Sequence, residues 1–254
     1  KLGIKNNIAE FNDNEIIRSL EAIEKKMDEP LGDPSILPTF LLSKFAKESV
    51  KVALSGDGAD ELFCGYAPFK SVNYLKMLNL IPRNVGNIIT SIMEKIPSQD
   101  NYMSYHFLIK HISRGFGWPS HQQVFRWMSP YSDNNISNLL NKEFTSEYSS
   151  KKEWDEILPK EKNTKDSSID ELSKIFEKLY LPNDILTKVD RASMYNGLEV
   201  RSPFLSKDII NFSHSLPNKF KINNGETKFL LRHLSKNKLP KIISTRKKHG
   251  FAIP

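Results

Sequence analysis

Apolar positions near the start of the chain follow a helical period. Ile16, Ile17, Leu20, Ile23 and Met27 fall on one side of a helix over Asn14 to Met27, and Asn12, Asp13 or Asn14 stands ready to cap it. The pattern stops at Asp28-Glu29-Pro30-Leu31-Gly32-Asp33-Pro34, where two prolines and a glycine oppose helix continuation, so a loop is expected. A second helix follows over Ser35 to Glu48. Lys51-Val52-Ala53-Leu54 is then a short apolar run, as in a buried strand of a parallel sheet. After the turn Ser55-Gly56-Asp57-Gly58, the residues Ala59-Asp60-Glu61-Leu62-Phe63 read as the first turn of a helix, with acids at the positive end of its dipole. Gly56 to Asp60 therefore stand at the carboxyl end of a strand, where open α/β sheets bind ligands.

From Phe69 to about Tyr180 the pattern is mainly helical, with loops at Arg114 to Pro119 and in the polar stretch Ser146 to Ser168. A last helical part begins near Ile169, passes Leu181-Pro182-Asn183-Asp184 and continues to Asn237 ahead of a basic tail. The expected class is α/β, with a sheet-proximal part over 1–66 and a mainly helical part over 67–254.

Composition narrows the function. The chain has 254 residues, 39% hydrophobic and 26% charged, which is ordinary for a globular protein. No apolar run approaches the roughly 20 residues of a membrane span, and no signal-peptide pattern opens the chain, so a cytoplasmic protein without a membrane partner is expected. Cys64 is the single cysteine, which leaves no internal disulfide and no cysteine-rich metal site. Among Leu62, Phe63 and Tyr66 it reads as a small buried filler, a nucleophile being the other reading.

The net charge is +7, and Lys219, Lys221, Lys228, Arg232, Lys236, Lys238, Lys241, Arg246, Lys247 and Lys248 crowd the end of the chain against Glu226. They form either a solvated helical face or a wall toward a phosphate-bearing ligand. No recognised nucleic-acid motif accompanies them, so a basic nucleic-acid-binding module is only the rival reading, and no nucleic-acid partner is expected.

Three constellations carry chemistry. In Ser55-Gly56-Asp57-Gly58-Ala59-Asp60-Glu61 the glycines let main-chain amides approach a phosphate, while Asp57 and Asp60 can meet a cation or a substrate; a capped strand-to-helix turn is the plainer account. Asp184, Lys188 and Arg191 share a helical face, as a structural ion network or as support for a site. Lys228, in Gly225-Glu226-Thr227-Lys228-Phe229-Leu230-Leu231-Arg232, starts a helix whose dipole disfavours a cation. It is either a plain surface lysine or one held for an anionic ligand.

In this order and separation the three blocks, with Glu199-Val200-Arg201-Ser202-Pro203-Phe204-Leu205 and Lys248-His249-Gly250-Phe251, resemble the synthetase domain of the glutamine-hydrolysing asparagine synthetases. The resemblance implies an ATP-pyrophosphatase fold (adenine nucleotide α-hydrolase-like), of which this chain holds a parallel-sheet remnant. It implies an ATP-dependent ligase that activates aspartate as β-aspartyl-AMP with Mg²⁺ and transfers ammonia released from glutamine by a glutaminase domain absent from the chain. By resemblance Ser55 and Gly56 contact ATP, Asp57 lies beside the aspartyl-AMP, Asp60 holds Mg²⁺ at the pyrophosphate, and Lys228 meets the α-phosphate. The family's Ser-Gly-Gly-x-Asp-Ser loop is missing, since none of the eleven glycines adjoins another. The chain is therefore expected to be a piece of a longer polypeptide, inactive alone, and a homodimer is compatible with it. Asn6, Asn7, Cys64, Asn183 and Ser206 depart from the family's usual residues. Related enzymes of this scaffold amidate other carboxylates, including sugar acids.

Overall fold

The computed structural model describes residue 3 and residues 6–78, 80–96, 105–118, 120–129, 131–141, 143–144 and 168–244. The chain divides into two compact units, one of Lys1–Tyr66 with Phe176–Pro254 and one of Ala67–Ile175.

The first unit opens with α1 (Asp13–Glu24). Asn12 caps it reciprocally, its Oδ1 accepting from the Glu15 amide at 3.1 Å while the Glu15 carboxylate accepts from the Asn12 amide at 3.0 Å. The loop after it leads to α2 (Ile36–Lys47). Ile23 of α1 packs with Ile36, Leu37, Phe40 and Leu41 of α2 and with Ala192, a core edged by Phe11, Ile16, Met27, Leu31 and Tyr195. Strand β1 (Val52–Leu54) and the short helix α3 (Ala59–Leu62) follow, separated by the glycine turn.

The second unit holds α4 (Ala67–Leu78), α5 (Arg83–Lys95), α6 (Tyr105–Ser113), α7 (Ser120–Met128), α8 (Asp133–Leu139) and α9 (Ser168–Ile175). Helix α5 packs on α6, α6 on α7, and α7 and α9 both pack on α4 and on each other. Trp118, 3% exposed, lies between the guanidinium groups of Arg83 and Arg126, 3.8 and 3.4 Å from its ring centroid. That sandwich lies at the expected loop after Arg114. The polar stretch over 146–167 lies outside the described residues.

At Phe176 the chain enters a π-helix, Phe176–Leu186, with Pro182 inside it. Proline has no amide hydrogen for the i→i−4 ladder, and a wider turn accommodates that break; the Thr187 hydroxyl donates to the Pro182 carbonyl at 2.8 Å. Then come α10 (Thr187–Met194), β2 (Glu199–Arg201), a 3-10 turn at Pro203–Leu205 and α11 (Lys207–Ser215). Helix α12 (Asn218–Lys221), the hairpin β3 (Ile222–Asn223) and β4 (Glu226–Thr227), α13 (Phe229–Lys236) and α14 (Lys241–Ser244) complete the described chain.

Strand β2 pairs in parallel with β1, Val52 opposite Glu199, Ala53 opposite Val200 and Leu54 opposite Arg201. The fold is thus a helix-dominated mixture with a small parallel sheet. The expectation of a buried strand is corrected: Val52 is 43% and Leu54 74% exposed. Burial of a parallel strand comes from layers on both sheet faces, and among the described residues the cover is partial at Val52 and slight at Leu54.

Candidate functional site

The site grows from the end of β1. The Ser55 amide donates to the Arg201 carbonyl at 2.9 Å, and the Ser55 and Ser202 hydroxyls share a bond of 2.7 Å, so Ser55 is fixed to the end of the ladder. Gly56 is exposed, with nothing within 4 Å of where a Cβ would lie, which leaves open space at the turn. Asp57 carries a buried Oδ2 without a hydrogen-bond partner. A buried carboxylate oxygen left unpaired costs desolvation energy that a ligand, a cation or an ordered water can return. Gly58 turns the chain with φ 84°, and a side chain there would run into Leu205.

Asp60, in the first turn of α3, meets Lys228 from the head of α13, Nζ to Oδ1 2.9 Å, both side chains about a quarter exposed (24% and 26%). Lys228 sits in the left-handed region (φ 53°, ψ 35°), its amide donating to the Phe63 carbonyl at 3.2 Å. Non-glycine residues pay roughly 1–2 kcal/mol for that conformation, and the helix dipole also opposes the ammonium. The Asp60 carboxylate offsets part of both. Lys228 is therefore not a plain surface lysine. Gly65 leaves the room for this contact, because a Cβ would overlap the Asp60 carboxylate and the Lys228 Cε. Cys64 is fully buried at φ 56°, as a small filler.

The cations of the second constellation meet different partners from those its spacing suggests. Lys188, 7% exposed, donates to Asp33 Oδ2 at 2.7 Å and to the Ser35 hydroxyl at 2.8 Å. Arg191 Nη2 meets Glu29 at 2.6 Å and Asp28 at 3.6 Å. The loop over 28–35 is thus tied to α10 by two cations. Burial raises the Asp33 pKa, but the bonds from Lys188 and Ser35 prevail and hold it below the ordinary range. Asp184 is pushed up, by burial first and then by the Asp33 charge.

Sequence reasoning missed a buried group beside Asp60. Glu61 is 1% exposed and accepts from the Tyr66 hydroxyl at 2.5 Å. The Tyr66 ring stacks on Phe176 with centroids 4.8 Å apart and meets Tyr180 edge-on at 5.6 Å. Burial, and then Glu61, drive the Tyr66 phenol far above its usual value; burial, and then Asp184, do the same for Tyr180. An acid followed by Tyr five residues on was the available signal.

The arrangement presents one unpaired carboxylate oxygen, a serine hydroxyl, an open glycine turn and an ammonium beside a second carboxylate. Among the described residues no group of three or more His, Cys, Asp or Glu could hold a metal ion. Asp57 and Asp60 are of the ligand type that Mg²⁺ takes, one or two carboxylates with water and phosphate supplying the rest. In the basic tail Lys221 is 4% exposed and Arg232 Nε donates to the Thr227 carbonyl at 3.0 Å, so not all of it is a solvated face. Arg246, Lys247, Lys248 and the Gly250-Phe251 pair lie outside the described residues. No described helix is long and apolar enough to cross a membrane.

A family model described as asparagine synthase matches residues 1–254. Asparagine synthetase (glutamine-hydrolyzing) 1 of Bacillus subtilis (strain 168) is 30% identical over 262 residues, covering 100% of this chain and 38% of that protein. A Mycobacterium tuberculosis (strain ATCC 25618 / H37Rv) protein bearing the provisional form of the same name is 26% identical over 250 residues, 95% of this chain and 35% of that protein. Asparagine synthetase (glutamine-hydrolyzing) of Gallus gallus is 37% identical over 90 residues, 34% of this chain and 16% of that protein. The chain thus spans well under half the length of these relatives. No solved structure matches it. With a family match over its whole length and a Bacillus relative aligned along all of it, the chain belongs to the asparagine synthase family.

Proposed function

We propose that this chain is the nucleotide-binding part of an ATP-dependent amide-forming ligase that makes asparagine in the cytoplasm, on a sheet of the ATP-pyrophosphatase type. The observation that carries the reading is the buried, unpartnered Asp57 Oδ2 on a glycine turn at the carboxyl end of β1. A carboxylate oxygen of aspartate attacks the α-phosphorus of ATP, and the bond to pyrophosphate breaks. Ammonia derived from glutamine then attacks the acyl carbon, AMP leaves with the bonding pair, and a proton departs from nitrogen.

In this reading Ser55 and Gly56 hold the nucleotide at the end of the strand, where the turn is open. The Lys228 ammonium faces the α-phosphate, where negative charge accumulates during adenylation. Asp57 lies beside the acyl-adenylate, and Asp60 would hold the metal. Mg²⁺ would neutralise the departing pyrophosphate. Because Asp60 and Lys228 pair with each other in the structure, a bound nucleotide and its metal would have to displace that contact.

The test is pyrophosphate release by the full-length protein with Mg-ATP and ammonia, with and without aspartate. Aspartate-dependent release is the expected result. Release that depends on another carboxylate, such as a sugar acid, would keep the ligase chemistry and refute the acceptor. No release with any carboxylate would refute the reaction.

A further inference from the structure

The turn that carries Asp60 is closed by a bond that the reaction above leaves unassigned. Glu61 follows Asp60 directly, is 1% exposed, and accepts from Tyr66 Oη at 2.5 Å. The backbone closes the same turn, the Gly65 amide donating to the Asp60 carbonyl at 2.7 Å. Since Gly65 is the residue whose missing side chain admits the Asp60–Lys228 contact, the placement of 65 and 66 bears directly on where the Asp60 carboxylate stands. Tyr66 is itself braced by Phe176 and Tyr180, both on the π-helix. Such helices are rare and cluster at functional sites.

Stability alone gives a poor account of Glu61. A buried carboxylate costs desolvation, and an apolar side chain of similar volume often packs as well or better. What a short charge-assisted bond supplies is direction, being roughly twice as strong as a neutral one and narrower in geometry. Glu61 and Tyr66 are joined by such a bond, and each is the chain neighbour of one of the two positions, 60 and 65, that shape the Asp60–Lys228 contact. We infer that Tyr66 and Glu61 are positioning residues for the adenylation step, acting through their mutual bond to fix where the Asp60 carboxylate stands without touching substrate. The inference rests on the ligase reading.

The experiment uses the full-length protein and three variants, Tyr66→Phe, Glu61→Gln and the double variant. Phe keeps the ring stack and Gln keeps the shape. Mg-ATP binding is measured by calorimetry, and pyrophosphate release is followed across a Mg²⁺ titration. Tyr66→Phe should lower kcat about tenfold or more and raise the Mg²⁺ concentration for half-maximal rate, as expected for one hydrogen bond to a charged group. The double variant should be no worse than Tyr66→Phe by more than about twofold, because Glu61→Gln weakens and Tyr66→Phe removes the same bond. A bond that served only the fold would lower the melting midpoint and leave the Mg²⁺ dependence and the rate per folded molecule unchanged. Either that result, or losses that multiply in the double variant, would overturn the assignment. Wild-type protein that neither binds Mg-ATP nor releases pyrophosphate would defeat the ligase reading and this inference together; active wild type with indifferent variants defeats this inference alone.

Discussion

Lys228 bears two local penalties, a left-handed backbone and the unfavourable end of a helix dipole, and both are tolerated where its ammonium meets Asp60. Strain of this kind persists where surrounding structure enforces it, often at ligand sites. In the full-length protein Asp60→Asn is expected to cut pyrophosphate release about a hundredfold, as for loss of a charged group in a preorganised site, and to leave glutamine hydrolysis within about twofold. Parallel assays of pyrophosphate and glutamate check this, and equal loss of both would indicate a folding defect instead. The Lys188–Asp33 pair makes a separate claim about stability. Asp33 is more acidic folded than unfolded, so its contribution is complete above the unfolded carboxylate pKa and fades as pH falls through the lower folded value. Asp184 has the opposite sign: its ionisation costs stability at neutral pH, and the cost is relieved as pH drops into its raised range. Lys188→Met strands a largely buried carboxylate and should cost about 3 kcal/mol at pH 7 and clearly less near pH 4, where Asp33 in the variant takes up a proton. Urea unfolding at the two pH values measures it. An equal cost at both would mean that lost packing, not charge, is responsible. Asp57, Asp60 and Lys228 could be singled out from the chain alone, but not that Asp57 Oδ2 is buried without a partner, because burial belongs to the surroundings.

At the scale of elements, the periodic parts were readable and the irregular ones were not. Helix α1 announces itself through the spacing of Ile16, Leu20 and Ile23 and through the Asn12 cap, all within one stretch of chain. The π-helix does not: Leu181-Pro182 looks like an interrupted α-helix, and the packing of Phe176 and Tyr180 against Tyr66 joins the wider turn to a distant part of the chain. The glycine turn shows both levels. Gly58 needs its positive φ for a local reason, while the Leu205 side chain that fills its Cβ position comes from a distant part of the chain. Gly58→Ala should therefore destabilise by about 1–3 kcal/mol, combining backbone strain with overpacking. Thermal melting of Gly58→Ala alone and with Leu205→Ala separates the two, since relief by the second change isolates the clash.

At the scale of the whole molecule, Phe176–Pro254 rejoins Lys1–Tyr66 in one unit, and the Ala67–Ile175 unit is a separate body. All five residues carried over from the family, Ser55, Gly56, Asp57, Asp60 and Lys228, fall in the first. Hydrogen exchange of the full-length protein with saturating Mg-ATP should accordingly slow the amides of residues 55–66 and 226–232 and leave those of residues 131–141 unchanged. Equal protection at 131–141 would refute a nucleotide site confined to the first unit. By itself the sequence determined the periods of α1 and α2, the place of β1, the loop at Pro30 and Pro34, the turn from Ser55 to Gly58 and the family, because each is written in neighbouring residues or in an ordered set of motifs; the strands β2, β3 and β4 lie in the part expected to be helical. Tertiary structure alone decided that β2 lies parallel to β1, that Lys188 and Arg191 turn to the acids of residues 28–33, and that Glu61 is buried against Tyr66. The ion pairs join positions 155 and 162 residues apart, and no local pattern records which of several acids a lysine or arginine will meet once the core has closed.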